Sequence, residues 1–321
     1  MPLEKLLAIA ARSAWRHRSW WLLGLSATMG GLVFNLSWRA ATWYAADRLS
    51  LDGWSPAELD IQGLLQQAAE PGRLVITVVA VFLVGLTLWL VSAVAEGGLI
   101  LTVAGQARGI VMRPVQAWRA GVGLLGRFIA IDTLLFLPLF LLALASSVVG
   151  MGGLAGLILA ATRPAAQFGD LLLVAFVAMA ISAPLLALML VAGPAIMVMR
   201  ALAFRAAALE DLRASDSIRG GWRVLRRVPL AVVTLAVLLA TLRSLVAMPL
   251  RIGSLLVTGL GWAQMMARLS SADPGPGGVG LLLAFGGVSL ALVSWLVSAI
   301  MNAFSSAAWT LSYEGWAAGL E

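Results

Sequence analysis

Six long apolar segments constrain this chain more than any other feature of its sequence. They cover residues 20–44, 73–95, 125–149, 171–199, 229–252 and 280–308. Each exceeds the ~20 residues that a helix needs to cross the hydrocarbon core of a bilayer. Because lipid offers no hydrogen-bond partners, the backbone within each segment must satisfy its own polar groups as a helix. The sequence therefore predicts an all-α integral membrane protein with six transmembrane helices.

Three tryptophan-arginine pairs at a near-constant interval predict an internal repeat. The pairs are Trp15-Arg16, Trp118-Arg119 and Trp222-Arg223, and the tryptophans lie 103 and 104 residues apart. Each pair stands in a basic stretch that is followed by two apolar segments. A fixed period of this kind is typical of tandem repeats. We expect a single membrane domain over residues 1–321, built from hairpin repeats at 1–104, 105–210 and 211–321.

Within each repeat, the pattern predicts a basic amphipathic helix, a span, a short interfacial helix and a second span. In the first repeat, Ser55-Pro56-Ala57-Glu58 forms a capping box with proline at the first helical position, and it predicts the start of the short helix. Residues 151–161 and 254–269 occupy the same place in the other two repeats. We expect these segments to lie outside the membrane rather than to form additional spans.

The basic helices are predicted to lie in the membrane interface. Tryptophan at the headgroup boundary with arginine on the aqueous side is typical of in-plane helices, so the three pairs are predicted to face lipid. The net charge of +7 points to anionic lipid of the inner leaflet rather than to nucleic acid, because the arginines cluster beside apolar segments. Simple anchoring and specific lipid or partner recognition both remain open as roles for these helices.

The distribution of basic residues predicts the orientation. The N-terminal stretch and the second-to-third and fourth-to-fifth connections together hold 15 of the 22 lysine and arginine residues. Basic residues accumulate in cytoplasmic loops. Both termini are therefore expected on the cytoplasmic side of a bacterial inner membrane.

Ionisable residues inside the spans are the candidate functional residues. Asp132 lies early in the third span, five residues after Arg127; Arg243 and Arg251 share the fifth span, and Glu96 precedes two glycines at the end of the second. An intramembrane charge is a functional hypothesis by default. Two interpretations stay open: an ion pair that joins Asp132 to Arg127 or another arginine, and a charged lining for transport.

Catalytic, metal and cofactor sites are not predicted. The chain has no cysteine and one histidine, His17, which lies among arginines. It contains no phosphate loop, no zinc-protease helix and no serine-histidine-acid set. We expect no enzymatic activity and no cofactor.

Two stretches resemble a known group of proteins. Ala14–Leu25 and Ala207–Leu212, the latter continued by Ser217–Arg223, resemble bacterial six-span proteins that are labelled after the membrane domain of glycerophosphodiester phosphodiesterases. The resemblance implies a stand-alone membrane domain, with no catalytic residues carried over.

Two functions from different classes follow. The first is a non-enzymatic membrane protein, either an accessory or assembly subunit of a larger complex or a lipid-organising scaffold, with lipids and other subunits or copies of itself as partners. Glycine, alanine and serine in the spans, which favour close helix packing, support it. The alternative is a small-solute or lipid transporter with a central site among the three hairpins.

Overall fold

The computed structural model describes residues 3–33, 36–37, 71–161, 168–270 and 278–319. The regular elements in these ranges are helices, and the described residues form no strand, which confirms the all-α prediction for them. In chain order the helices are α1 (Leu3–Arg16), α2 (Ser19–Ala27), α3 (Pro71–Ala107), α4 (Pro114–Ala161), α5 (Phe168–Leu209), α6 (Ala214–Arg227), α7 (Pro229–Ser270) and α8 (Gly278–Ala318).

Five helical segments are long and apolar enough to cross a membrane. They are Val79–Ala107, Pro114–Val149, Met179–Leu209, Pro229–Leu260 and Phe285–Ala318. The chain is thus a multi-pass membrane protein. The remaining predicted span, 20–44, is the first in the sequence. It starts within α2 and continues into positions outside the described residues. The short helix predicted from Ser55 also lies outside them.

Two long helices continue where the sequence predicted separate elements. α4 is unbroken from Pro114 to Ala161, so the second basic stretch, the third span and the segment 151–161 form one helix. α7 likewise includes 254–269. The expected boundaries carry no proline or polar turn, and glycine in an otherwise apolar helix costs only about 1 kcal/mol relative to alanine. Helix propagation therefore continues through them.

Two of the long helices end in left-handed residues. After α3, Gly109 has φ +78°, the Ile110 N–H donates to the Gly105 carbonyl (2.8 Å) and the Gly109 N–H donates to the Gln106 carbonyl (3.0 Å). These bonds form a Schellman motif, which only a residue at positive φ permits. After α5, Asp211 has φ 55°. Each end leads within a few residues into the next basic helix.

The described chain forms two compact units. The first contains α1, α2, α3, the start of α4 up to Leu125, α7 from Val233, and α8; the second contains α4 from Gly126, α5, α6 and the first turn of α7.

In the first unit, α2 is fixed to α8 and α3 by close backbone contact and by hydrogen bonds. A Cβ added at Gly24 would clash with the carbonyl oxygen of Ala299, so only glycine allows this approach. The Trp295 indole N–H donates to the Leu25 carbonyl (3.0 Å), and the Ser92 hydroxyl donates to the Ala27 carbonyl (2.8 Å). Such small-residue contacts and interhelical hydrogen bonds hold helices together in lipid, where the hydrophobic effect between helices is absent.

Candidate functional site: the basic helices and a buried ion pair

The first tryptophan-arginine pair lies at the end of α1. Leu6, Ala10 and Ala14 form the buried face of this helix, and α1 packs against α8. Trp15 is 64% exposed, and Arg16 beside it is exposed too. The Trp15 ring lies 5.5 Å from the ring of Trp21, whose indole N–H donates to the Ala14 carbonyl (2.9 Å). Trp15 is therefore held against Trp21 on the exposed side of α1.

The third pair lies on α6, which is packed on α5 through its two glycines. A Cβ at Gly221 would lie 3.1 Å from the Leu202 Cβ, so the two helices are close. On the opposite face Trp222 is 45% exposed, Arg223 is exposed, and the Arg226 guanidinium lies 5.0 Å over the Trp222 ring. Asp216 in the first turn and Arg226 and Arg227 in the last complement the helix dipole.

The second pair occupies the first turns of α4. Trp118 is half-buried and Arg119 is exposed. Their neighbour Ala117 is fully buried against α3. The two helices are so close here that a Cβ added at Gly98 would lie 2.8 Å from the Ala117 carbonyl oxygen. All three pairs thus lie on a helix that packs closely on a long apolar helix, and in each pair the arginine is exposed.

Asp132 is part of a buried ion pair in the second unit. Its residue is 3% exposed, and its Oδ1 accepts from Arg200 Nε at 2.7 Å while Oδ2 accepts from Arg200 Nη2 at 3.2 Å. The Arg200 side chain is 19% exposed. Two parallel bonds of this kind fix both groups in one geometry. The carboxylate predicted as a transport or pairing residue is therefore bound to an arginine.

Two phenylalanines and a second ion pair surround this contact. The guanidinium of Arg200 lies 4.1 Å from the ring centroid of Phe204, which stacks on Phe128 at 3.8 Å. Of the two alternatives predicted for Asp132, Arg127 or another arginine, the second is found, because Arg127 pairs with Asp211 and donates to the Ala207 carbonyl at the end of α5. The reason is position, because the end of α5 presents both the Asp211 carboxylate and a helix C-terminal carbonyl to Arg127.

The other predicted charged residues lie apart from this pair in the sequence. Glu96 is half-buried on α3, two residues before the close contact at Gly98. Arg243 and Arg251 are exposed on α7. His17 follows α1, stacks on Trp20 and lies with its Nε2 2.5 Å from the Gln106 amide nitrogen. Within the described residues no group of three or more metal-ligating side chains is present.

Sequence reasoning did not identify Arg200 as the partner of Asp132. The two residues are 68 positions apart. Asp132 lies within the third predicted span and Arg200 directly follows the fourth, and because consecutive spans are antiparallel both belong to the basic end. This signal limits the partner to an arginine of that end but does not select Arg200.

Comparison of the chain with protein-family models, with curated proteins and with solved structures finds no match.

Proposed function

We propose that this chain is a non-enzymatic protein of the bacterial inner membrane that holds anionic lipid at three repeated basic helical stretches, either as a lipid-organising scaffold or as an accessory or assembly subunit of a larger complex. In this proposal it has six spans, both termini lie in the cytoplasm, and the basic helices lie at the cytoplasmic leaflet. One observation carries it: exposed Trp15 and Trp222 each adjoin an exposed arginine, while the other face of the same helix is packed on a span.

The repeated contact between a basic helix and a span supports the three-repeat interpretation. Gly98 packs on Ala117 and Leu202 packs on Gly221, so two contacts recur 104 residues apart in the same register. α1, the first of the three basic helices, packs on α8 of the third repeat. Each basic helix therefore contacts the span that precedes it when the three repeats are read as a cycle.

Exposed arginines beside exposed tryptophans favour lipid as the ligand of these helices. The indole ring is stable at the headgroup level, and a basic residue near an anionic surface contributes roughly 1 kcal/mol of attraction. Leu230, three residues after Arg227 at the start of α7, is 81% exposed. In this proposal it faces acyl chains.

The transporter alternative has weaker support. Its charged lining would consist of Asp132, Arg243 and Arg251, whereas the Asp132 carboxylate is buried and bound through two oxygens to Arg200. Such a pair supports a structural role, because both charges satisfy each other at membrane depth.

Lipid selectivity tests the proposal. Spin-labelled phosphatidylglycerol and phosphatidylcholine are compared in reconstituted membranes, and the motionally restricted fraction of each is measured. The Arg16→Gln/Arg119→Gln/Arg223→Gln variant removes one charge from each basic helix, so its preference for phosphatidylglycerol should fall roughly fivefold, the equivalent of 1 kcal/mol.

The control is Arg243→Gln/Arg251→Gln, which removes exposed arginines outside the basic helices and should retain the wild-type preference. An equal preference for both lipids in the wild type, or an equal loss in both variants, would contradict the proposal.

A further inference from the structure

Helices α4 and α5 of the second unit are antiparallel with a regular register. Phe128 stacks on Phe204, and four residues further along α4, Asp132 pairs with Arg200, which lies four residues back along α5. Moving four residues forward along α4 therefore corresponds to moving four residues back along α5. Residues an equal number of positions beyond the ion pair therefore lie at about the same depth.

A proline lies six positions beyond the ion pair on each helix. These are Pro138 of α4 and Pro194 of α5, and at 1.5 Å per residue each lies about 9 Å from the ion pair on the same side. Proline removes one backbone hydrogen bond and clashes with the carbonyl four residues earlier. Both helices are thus weakened at one level. Gly193, whose Cβ position is open, adds a second weak residue there.

Packing differs sharply on the two sides of the ion pair. Toward the basic end, Phe128, Ile131 and residues 202–207 are buried. Beyond the ion pair, residues 133–149 of α4 and 179–198 of α5 include no buried residue. One end of the hairpin is therefore fixed by buried side chains and two ion pairs, whereas the described residues 133–149 and 179–198 of the other end are half-buried or exposed.

We infer that Pro138 and Pro194 form a paired hinge, about which the outer halves of α4 and α5 move while the end that contains Asp132 and Arg200 stays fixed. A single kink would tilt one helix only. Two kinks at one depth let both helices change their separation together, and the bidentate ion pair stops the motion from spreading toward the basic end. This inference does not depend on lipid binding by the basic helices.

The test measures distances by pulsed electron paramagnetic resonance in reconstituted protein. The chain has no cysteine, so each label pair is unique. An outer pair at Val148→Cys and Leu186→Cys lies beyond the prolines at exposed positions, and an inner pair at Gly126→Cys and Ala208→Cys lies on the fixed side in the same register. We expect the outer distance distribution to be about twofold wider than the inner one, or to have two components.

Replacing the hinge prolines gives the decisive comparison. In Pro138→Ala/Pro194→Ala the outer distribution should narrow to the width of the inner one, because both backbone hydrogen bonds are restored. Pro184→Ala is the matched control. It removes a proline of the same helix that lies beyond the label, so the outer distribution should stay wide.

A wild-type outer distribution as narrow as the inner one would overturn the hinge, and this result needs no variant to fold. A wide outer distribution that persists in the double variant would overturn it as well.

Discussion

At the residue scale, the ion pair between Asp132 and Arg200 shows how a charge is accommodated at membrane depth. The carboxylate accepts two hydrogen bonds from the Arg200 guanidinium, and this guanidinium also lies over the ring of Phe204. The sequence predicted that Asp132 needs a basic partner, because an unpaired carboxylate is costly in lipid. It did not identify Arg200, because the choice depends on contact between two helices rather than on any local pattern.

Asp132→Asn should lower the free energy of unfolding by about 1–3 kcal/mol, the value of hydrogen bonds to a charged group. The loss stays moderate because asparagine still accepts a bond and Arg200 is partly exposed. Unfolding in mixed micelles with increasing dodecyl sulfate measures it. Arg127→Gln is the control, since its partner Asp211 has an 87% exposed side chain and exposed pairs contribute about 0–1 kcal/mol.

Adding Arg200→Gln to Asp132→Asn should restore part of the loss, because no unpaired charge then remains. Equal stability of wild type and Asp132→Asn would contradict a structural role for the pair.

At the element scale, close helix contacts depend on glycines whose roles are not visible in the sequence. Gly121 and Gly123 are two positions apart on α4, and the sequence alone does not distinguish their roles. A Cβ at Gly121 would clash with the carbonyl oxygen of Val94 on α3, whereas Gly123 has open space around its Cβ position. The presence of these apolar helices was predictable because apolar length is a local property of the chain, but their ends were not, as Pro114–Val149 against the predicted 125–149 shows. The helix face that contacts a neighbour was not predictable, and neither was the continuity of α4 through its basic stretch.

Gly121→Ala should therefore destabilise the protein by about 1–3 kcal/mol, as overpacking does. Gly123→Ala should be neutral or stabilise it by up to about 1 kcal/mol, because alanine favours the helix. The midpoint of thermal unfolding in detergent distinguishes the two variants. A similar midpoint in both would show that α3 and α4 do not approach closely at Gly121.

At the scale of the whole molecule, the described residues form a multi-pass helical protein with five helices long and apolar enough to span a membrane, and the three-repeat organisation is our proposal. The period of the tryptophan-arginine pairs predicted it, and two basic-helix contacts recur 104 residues apart. Two spans between successive pairs return the chain to the same side of the membrane. In this proposal all three pairs face one compartment, and the excess of arginine around them predicts that it is the cytoplasm.

Side-specific labelling of three single-cysteine variants tests this claim most directly. Arg16→Cys, Arg119→Cys and Arg223→Cys each replace an exposed arginine in a chain without other cysteines. A membrane-impermeant maleimide is applied to right-side-out and to inverted inner-membrane vesicles. The proposal predicts that all three react in inverted vesicles and none in right-side-out vesicles. A reaction of any one variant from the opposite side would contradict the three-hairpin organisation.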